Sequence, residues 1–110
     1  MIIILDQPAT PQQITAMLEV FGSYIKLAVD IERKCVAGGG ELHADCEQAL
    51  LDSGSRQEDI WGADWDITGE IRFESLINIR PRQGNRSLMI QSPEIRQRVE
   101  QIVRRIFGEA

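Results

Sequence analysis

"IWGADWDITGEIRFESLINI", residues 60–79, decides the fold class. Trp61, Ala63, Trp65 and Ile67 alternate with smaller or polar residues, which is the period of a half-buried strand. Thr68-Gly69-Glu70 then breaks the pattern, and Ile71, Phe73, Ser75, Ile77 and Ile79 resume it. A three-residue loop sets Ile67 opposite Ile71, Trp65 opposite Phe73 and Trp61 opposite Ile77, all on one face. A two-residue loop sets Ile67 against Glu70 and mixes the faces, so register favours the longer turn. The stretch therefore predicts an antiparallel hairpin with both tryptophans in the core.

Upstream, Ile25, Leu27, Val29 and Ile31 alternate with Tyr24, Lys26, Ala28 and Asp30, predicting a second strand. Glu32-Arg33-Lys34 reads as a turn into a short strand over Cys35–Ala37. Met1–Leu5 is isoleucine-rich and uninterrupted, as a buried strand is. Three helices accompany these strands. Thr10, Pro11 and Gln13 form a capping box with proline at the first helical position. Ile14, Met17, Leu18 and Phe21 supply its apolar face, and Gly22 stops it. A second helix is expected from His43–Asp45 to Leu51, with Asp45 and Gln48 as its cap. Ser92-Pro93 opens the third, whose buried stripe is Ile95, Val99, Ile102, Val103 and Ile106. Glu94–Arg98 and Glu100–Arg104 are spaced as surface pairs. Arg80 to Gln91 reads as a loop.

The order is thus β-α-β-β-α-β-β-α over a single domain, residues 1–110. We expect an α+β two-layer sandwich: a mostly antiparallel sheet of about five strands with three helices on one face. The opposite face, with Tyr24, Lys26, Ala28, Asp30 and Leu76, is mixed in character and is expected to meet a second copy in a homo-oligomer.

Composition narrows the function. Net charge is −5, which disfavours nucleic acid as a partner. Residues 1–70 hold 4 basic and 13 acidic side chains, whereas residues 71–110 hold 8 arginines and 4 acids. Arginine presents a planar fork that suits carboxylate or phosphate. No apolar run reaches the roughly 20 residues of a membrane span, and no basic segment precedes Met1–Leu5 as in a secretory signal. A cytoplasmic location is expected. Cys35 and Cys46 are too few for a disulfide framework and lack metal-pair spacing.

Two polar stretches carry the candidate chemistry. The first is "GGGELHADCEQ", residues 38–48. Its glycines are read as a turn with positive φ rather than a phosphate cradle, because Glu41 and Asp45 would repel a phosphate. Glu41, His43 and Asp45 alternate, and in an extended segment they share one side. One imidazole and two carboxylates suit a divalent ion or acid–base catalysis, with His43 as proton shuttle. The second is "NIRPRQGNRS", residues 78–87. Asn78, Arg80, Arg82, Asn85 and Arg86 present forked donors and amides to an anion, or else pair with Asp59, Asp64, Asp66 or the acids near His43. No motif points to a particular cofactor.

"GGELHADCEQALLDSGSRQEDIWGADW" and "INIRPRQGNRS", with the flanking "MIIIL" and "SPEIRQRVEQIVRRI", resemble a prokaryotic family of small proteins known as a domain of unknown function. The likeness covers nearly the whole chain and implies one compact domain; no activity, ligand or catalytic residue comes with it. Two functional expectations follow from the residues. One is a binding or regulatory module for an anionic small ligand or a protein partner, using the arginine-bearing loop. The other is a small acid–base or metal-assisted hydrolytic enzyme built on His43. Whether the two polar stretches meet decides between a shared site and two isolated ones.

Overall fold

A computed structural model describes residues 1–108. In chain order the elements are β1 (Ile3–Leu5), α1 (Pro11–Leu18), β2 (Tyr24–Asp30), β3 (Cys35–Gly38), α2 (His43–Asp52), β4 (Ile60–Asp66), β5 (Ile71–Arg72) and α3 (Pro93–Phe107). The strands form one antiparallel sheet in the order β1-β3-β2-β4-β5. The α+β class, the five strands, the three helices and their order are as expected.

Local chemistry explains the helix ends. Thr10 accepts from the Gln13 amide, and the Gln13 side chain accepts from the Thr10 amide, closing the capping box. Gly22, at φ +82, bonds back to the Leu18 carbonyl and ends that segment. Ser92 caps α3 through the Ile95 amide, with Pro93 at the first position. Leu42 stands just before helix α2 and gives it no side-chain cap, so Asp45 lies in the first turn rather than capping it. Gln48 bonds Asp52 instead.

The layering differs from the expectation in one respect: the helices divide between both faces of the sheet. On one face Ile25, Leu27, Val29, Trp61, Ala63 and Trp65 pack with Met17 of α1 and with Val99, Val103 and Ile106 of α3. On the other, Ala28, Cys35, Ala37 and Ile60 pack with Cys46 and Leu50 of α2. Small residues on that second face let a helix lie close to the strands. Ala28 and Asp30 are fully buried, while Tyr24 and Lys26 are half-buried and Leu76 is exposed, so the face on which a second copy was expected is covered only in part from within the chain.

The hairpin also shifts. Trp65 pairs with Ile71, and Asp64 with Arg72, so the three-residue loop is Ile67–Gly69 rather than Thr68–Glu70. Ile67 therefore leaves the core and is exposed, while Trp65 and Ile71 keep their common face. Trp61 faces Val29 of β2, not Ile77. Strand β5 ends at Arg72, and the predicted alternation to Ile79 gives way to a 3-10 turn, Leu76–Asn78. Strand β1 is shorter than predicted and lies at the sheet edge, with Leu5 its buried residue. The glycine run is close-packed, but it is not the expected turn: Gly38 ends β3, and Gly39 and Gly40 follow it outside any helix, strand or turn. Gly39 has φ +99, and a Cβ there would sit 2.2 Å from the Met1 carbonyl oxygen.

Candidate functional site

His43 opens α2, and the helix changes the geometry read from sequence. In a helix His43 and Asp45 diverge, whereas His43 and Glu47, four residues apart, share a side. Glu41, His43 and Asp45 therefore do not form one constellation. Glu41 and Asp45 line an open hollow of about 560 Å³ with Met1, Ile2, Gly39 and Gln48. His43 and Glu47 instead point over β4 and the segment after β5.

The His43 ring is largely buried, 13% exposed, and its Nε2 lies 2.8 Å from Asp64 Oδ1 and 3.2 Å from the Ala63 carbonyl. Both neighbours are acceptors, which assigns the ring proton to Nε2. Asp64 stands 3.7 Å from the Arg72 Nε, and Arg72 reaches Asp66 at 3.2 Å. The Arg72 guanidinium also lies over the Tyr24 ring. Bonds from the Thr68 hydroxyl and amide, and then from Arg72, hold the Asp66 carboxyl below its ordinary range. Alternating acids on β4 thus meet one histidine and one arginine in a linear array.

One helical turn along α2, Glu47 meets Arg80 at 3.2 Å. Arg80 also donates to the carbonyls of Ile77 and Gln57, at 2.9 and 2.6 Å, and its guanidinium lies 4.9 Å from the Trp61 ring centre. Burial pulls this guanidinium below its ordinary value and Glu47 pushes back. The ordinary value is so high that the group stays charged at neutrality. The two polar stretches do approach each other, through Glu47 rather than Glu41 or Asp45. They approach as one internal ion pair, Glu47–Arg80, while His43 pairs with Asp64 of β4.

Asn78, expected to present its amide to an anion, is instead fully buried. Its Oδ1 accepts from the Gly62 amide at 2.8 Å, and its Nδ2 donates to the Gly62 carbonyl at 3.0 Å. The side-chain amide thus pairs with β4 as a neighbouring strand's peptide would. Gly62 makes room: a Cβ there would lie 2.4 Å from the Ser75 Cβ. Asn85, also buried, donates to the carbonyls of Asn78, Ser87 and Met89 and accepts from the Gln91 amide. These two asparagines shape the excursion from 73 to 91, which contains a second 3-10 turn, Pro81–Gln83. Of the five residues expected to bind an anion, Asn78, Arg80 and Asn85 are engaged internally, and Arg82 and Arg86 are exposed.

The same excursion holds a feature that alternation concealed. Leu76 is 78% exposed, Ile79 45%, Leu88 42% and Met89 37%. Leu76 and Ile79 flank one 3-10 turn, where residues three apart line up. Ser75 bonds the Leu88 carbonyl and Glu74 bridges Met89, which brings the other two alongside. The available signal was Asn78 followed by Arg80-Pro81, which interrupts a strand.

Among the described residues, no group of three or more His, Cys, Asp or Glu side chains is arranged to hold a metal ion. No helix of these residues is long and apolar enough to cross a membrane. No curated protein and no solved structure matches the chain. A family model described as "Protein of unknown function (DUF5674)" matches residues 3–106, nearly its full length. The chain belongs to that DUF5674 family.

Proposed function

We propose that the protein is a binding module that docks a protein partner through the excursion after β5. The observation that carries this reading is the exposed quartet Leu76, Ile79, Leu88 and Met89 beside the exposed Arg82 and Arg86. Apolar side chains on the same excursion as two exposed guanidinium groups, neither of which enters an ion pair among the described residues, suit a partner surface of apolar residues bordered by carboxylates. Arginine at such a rim also steers an acidic partner into register. The internal engagement of Asn78, Arg80 and Asn85 turns the choice from a small anion toward a protein, because the deepest donors are already used. A second copy of this chain, acidic in its first 70 residues, is one such partner. The reading places the protein in the cytoplasm, supported by two buried, unbridged thiols, Cys35 and Cys46.

A photo-crosslinker at position 79 tests the proposal, with one at exposed Gln12 as control. The expected result is a defined adduct from position 79 alone, lost in Leu76→Ser and in Arg82→Glu/Arg86→Glu. Equal adducts from both positions, or adducts indifferent to those substitutions, would refute it.

A second reading rests on the His43–Asp64 pair, an imidazole oriented by a carboxylate as in acid–base catalysis. It makes His43 a proton shuttle in a small hydrolase, with Glu41 and Asp45 at the mouth of α2. Hydrolysis of activated esters that disappears in a folded His43→Gln variant supports it; an unchanged rate removes it.

A further inference from the structure

The turn between β2 and β3 lies along α3 and is tied to it at two points. Arg98 Nη2 donates to the Ile31 carbonyl at 3.0 Å, and Arg105 Nη2 donates to the Lys34 carbonyl at 2.7 Å. Between the ties is a hollow of about 410 Å³ lined by Ile31, Lys34, Arg98, Gln101, Ile102 and Arg105. Arg98, Gln101, Ile102 and Arg105 are spaced at i, i+3, i+4 and i+7, so they form one stripe of the helix. Ile31 and Ile102 make its floor, and three cations and a glutamine amide make its walls.

Two features distinguish this hollow from an ordinary basic surface. First, its guanidinium groups are held in place while keeping donors free. Arg105 is fixed by the carbonyls of Asp6 and Lys34, and Arg98 by the Ile31 carbonyl and the exposed Glu32 carboxylate. A guanidinium has five donors, so each fork has N–H groups to spare. Held side chains lose little further freedom on binding. Second, Lys34 is the one non-glycine residue with positive φ, +55, among the described residues. Glycine or asparagine would occupy that conformation more easily, yet the position carries an ammonium that enters no ion pair among the described residues.

We propose that this hollow is a binding site for a small polyanion, a molecule carrying two or more phosphate or carboxylate groups. The helix sets the spacing. Seven residues separate the two arginines, about 10 Å along the axis, which is too far for a single phosphate and suits a chain of them or a tricarboxylate. Forked donors at both ends fix the acid groups, and Lys34 closes the side. Glu32 competes for Arg98 and must swing away, which its exposure permits.

The test uses the full chain, with inorganic tripolyphosphate in one arm and citrate in the other. Binding is followed by calorimetry and by amide and arginine Nε–H NMR shifts at low ionic strength. Saturable binding in either arm is expected, with shifts centred on Lys34, Arg98, Gln101 and Arg105. The arm that binds names the acid group; binding in both leaves the site selective for charge and spacing. Lys34→Gln is expected to weaken binding about tenfold. Glu32→Gln, which frees Arg98, is expected to tighten it, and Arg56→Gln, an exposed arginine outside the hollow's lining, to leave it unchanged. Circular dichroism verifies that each variant is folded. Absence of saturable binding in both arms, shifts centred on Arg82 and Arg86, or an affinity indifferent to Lys34→Gln would overturn the proposal.

Discussion

Asn78→Ala separates a residue that holds the fold from one that waits for a ligand. Asn78 is fully buried and makes two bonds with the Gly62 peptide, at 2.8 and 3.0 Å, and a third with the Leu88 carbonyl at 3.1 Å. Alanine removes both ends of the amide and leaves the Gly62 N–H and two carbonyls without the partner they have in the parent chain. An orphaned buried polar group costs about 1–3 kcal/mol. Partial relaxation makes the sum less than three independent penalties, so we expect a loss of about 3–5 kcal/mol. Against a typical total of about 5–15 kcal/mol this is severe. At roughly 4 °C per kcal/mol it lowers Tm by about 12–20 °C. Urea unfolding followed by tryptophan fluorescence gives the free energy, and hydrogen exchange at the Gly62 amide reports the bond itself. A loss below about 1 kcal/mol, with the Gly62 amide still protected, would refute this account.

Further expectations follow from other sites. Gly39→Ala should cost at least about 2 kcal/mol in urea unfolding, because the backbone conformation disfavours alanine and the Met1 carbonyl occupies the Cβ position. Arg80→Ala should cost roughly 2–4 kcal/mol by removing a buried guanidinium from the half-buried Glu47 carboxylate and from the Ile77 and Gln57 carbonyls, and a double-mutant cycle with Glu47→Ala should recover part of it. Arg82→Ala and Arg86→Ala should change stability by less than about 0.5 kcal/mol. The depressed Asp66 carboxyl stabilises the fold above its unfolded pKa, and that contribution is lost as pH falls through the lower folded value. An acid titration of Asp66→Asn should therefore show a shallower loss of stability at low pH than the parent chain.

Much of the frame was legible because local and tertiary signals agree. Thr10-Pro11-Gln12-Gln13 closes its box with its own backbone, and the stripe from Ile95 to Ile106 needs only one apolar surface to pack on. The excursion after β5 was not legible. Ile77 and Ile79 alternate as in a strand, but Asn78 supplies the pairing groups that β4 needs from its side chain, so the backbone is free to turn. Nothing in the one-letter code distinguishes an asparagine that binds a ligand from one that replaces a peptide. The position of α2 was hidden for a different reason. Ala28, Ala37 and Gly62 look like gaps in a polar face, yet small residues are what a close helix requires. Glu41, His43 and Asp45 share a side only in an extended chain; the helix begins at His43 and turns the third side chain away. Lys34, Arg98 and Arg105 are far apart in sequence, and only the packing of α3 along the β2–β3 turn brings them together.

The placement of the two tryptophans makes the molecule its own instrument. Trp65 stacks on Phe107 at 5.2 Å, and Trp61 sits beneath the guanidinium of Arg80. One indole thus watches the seat of the last helix and the other watches the root of the post-β5 excursion. Replacing either with phenylalanine leaves a single optical channel, and comparing the two channels resolves whether the excursion lifts off before the core gives way.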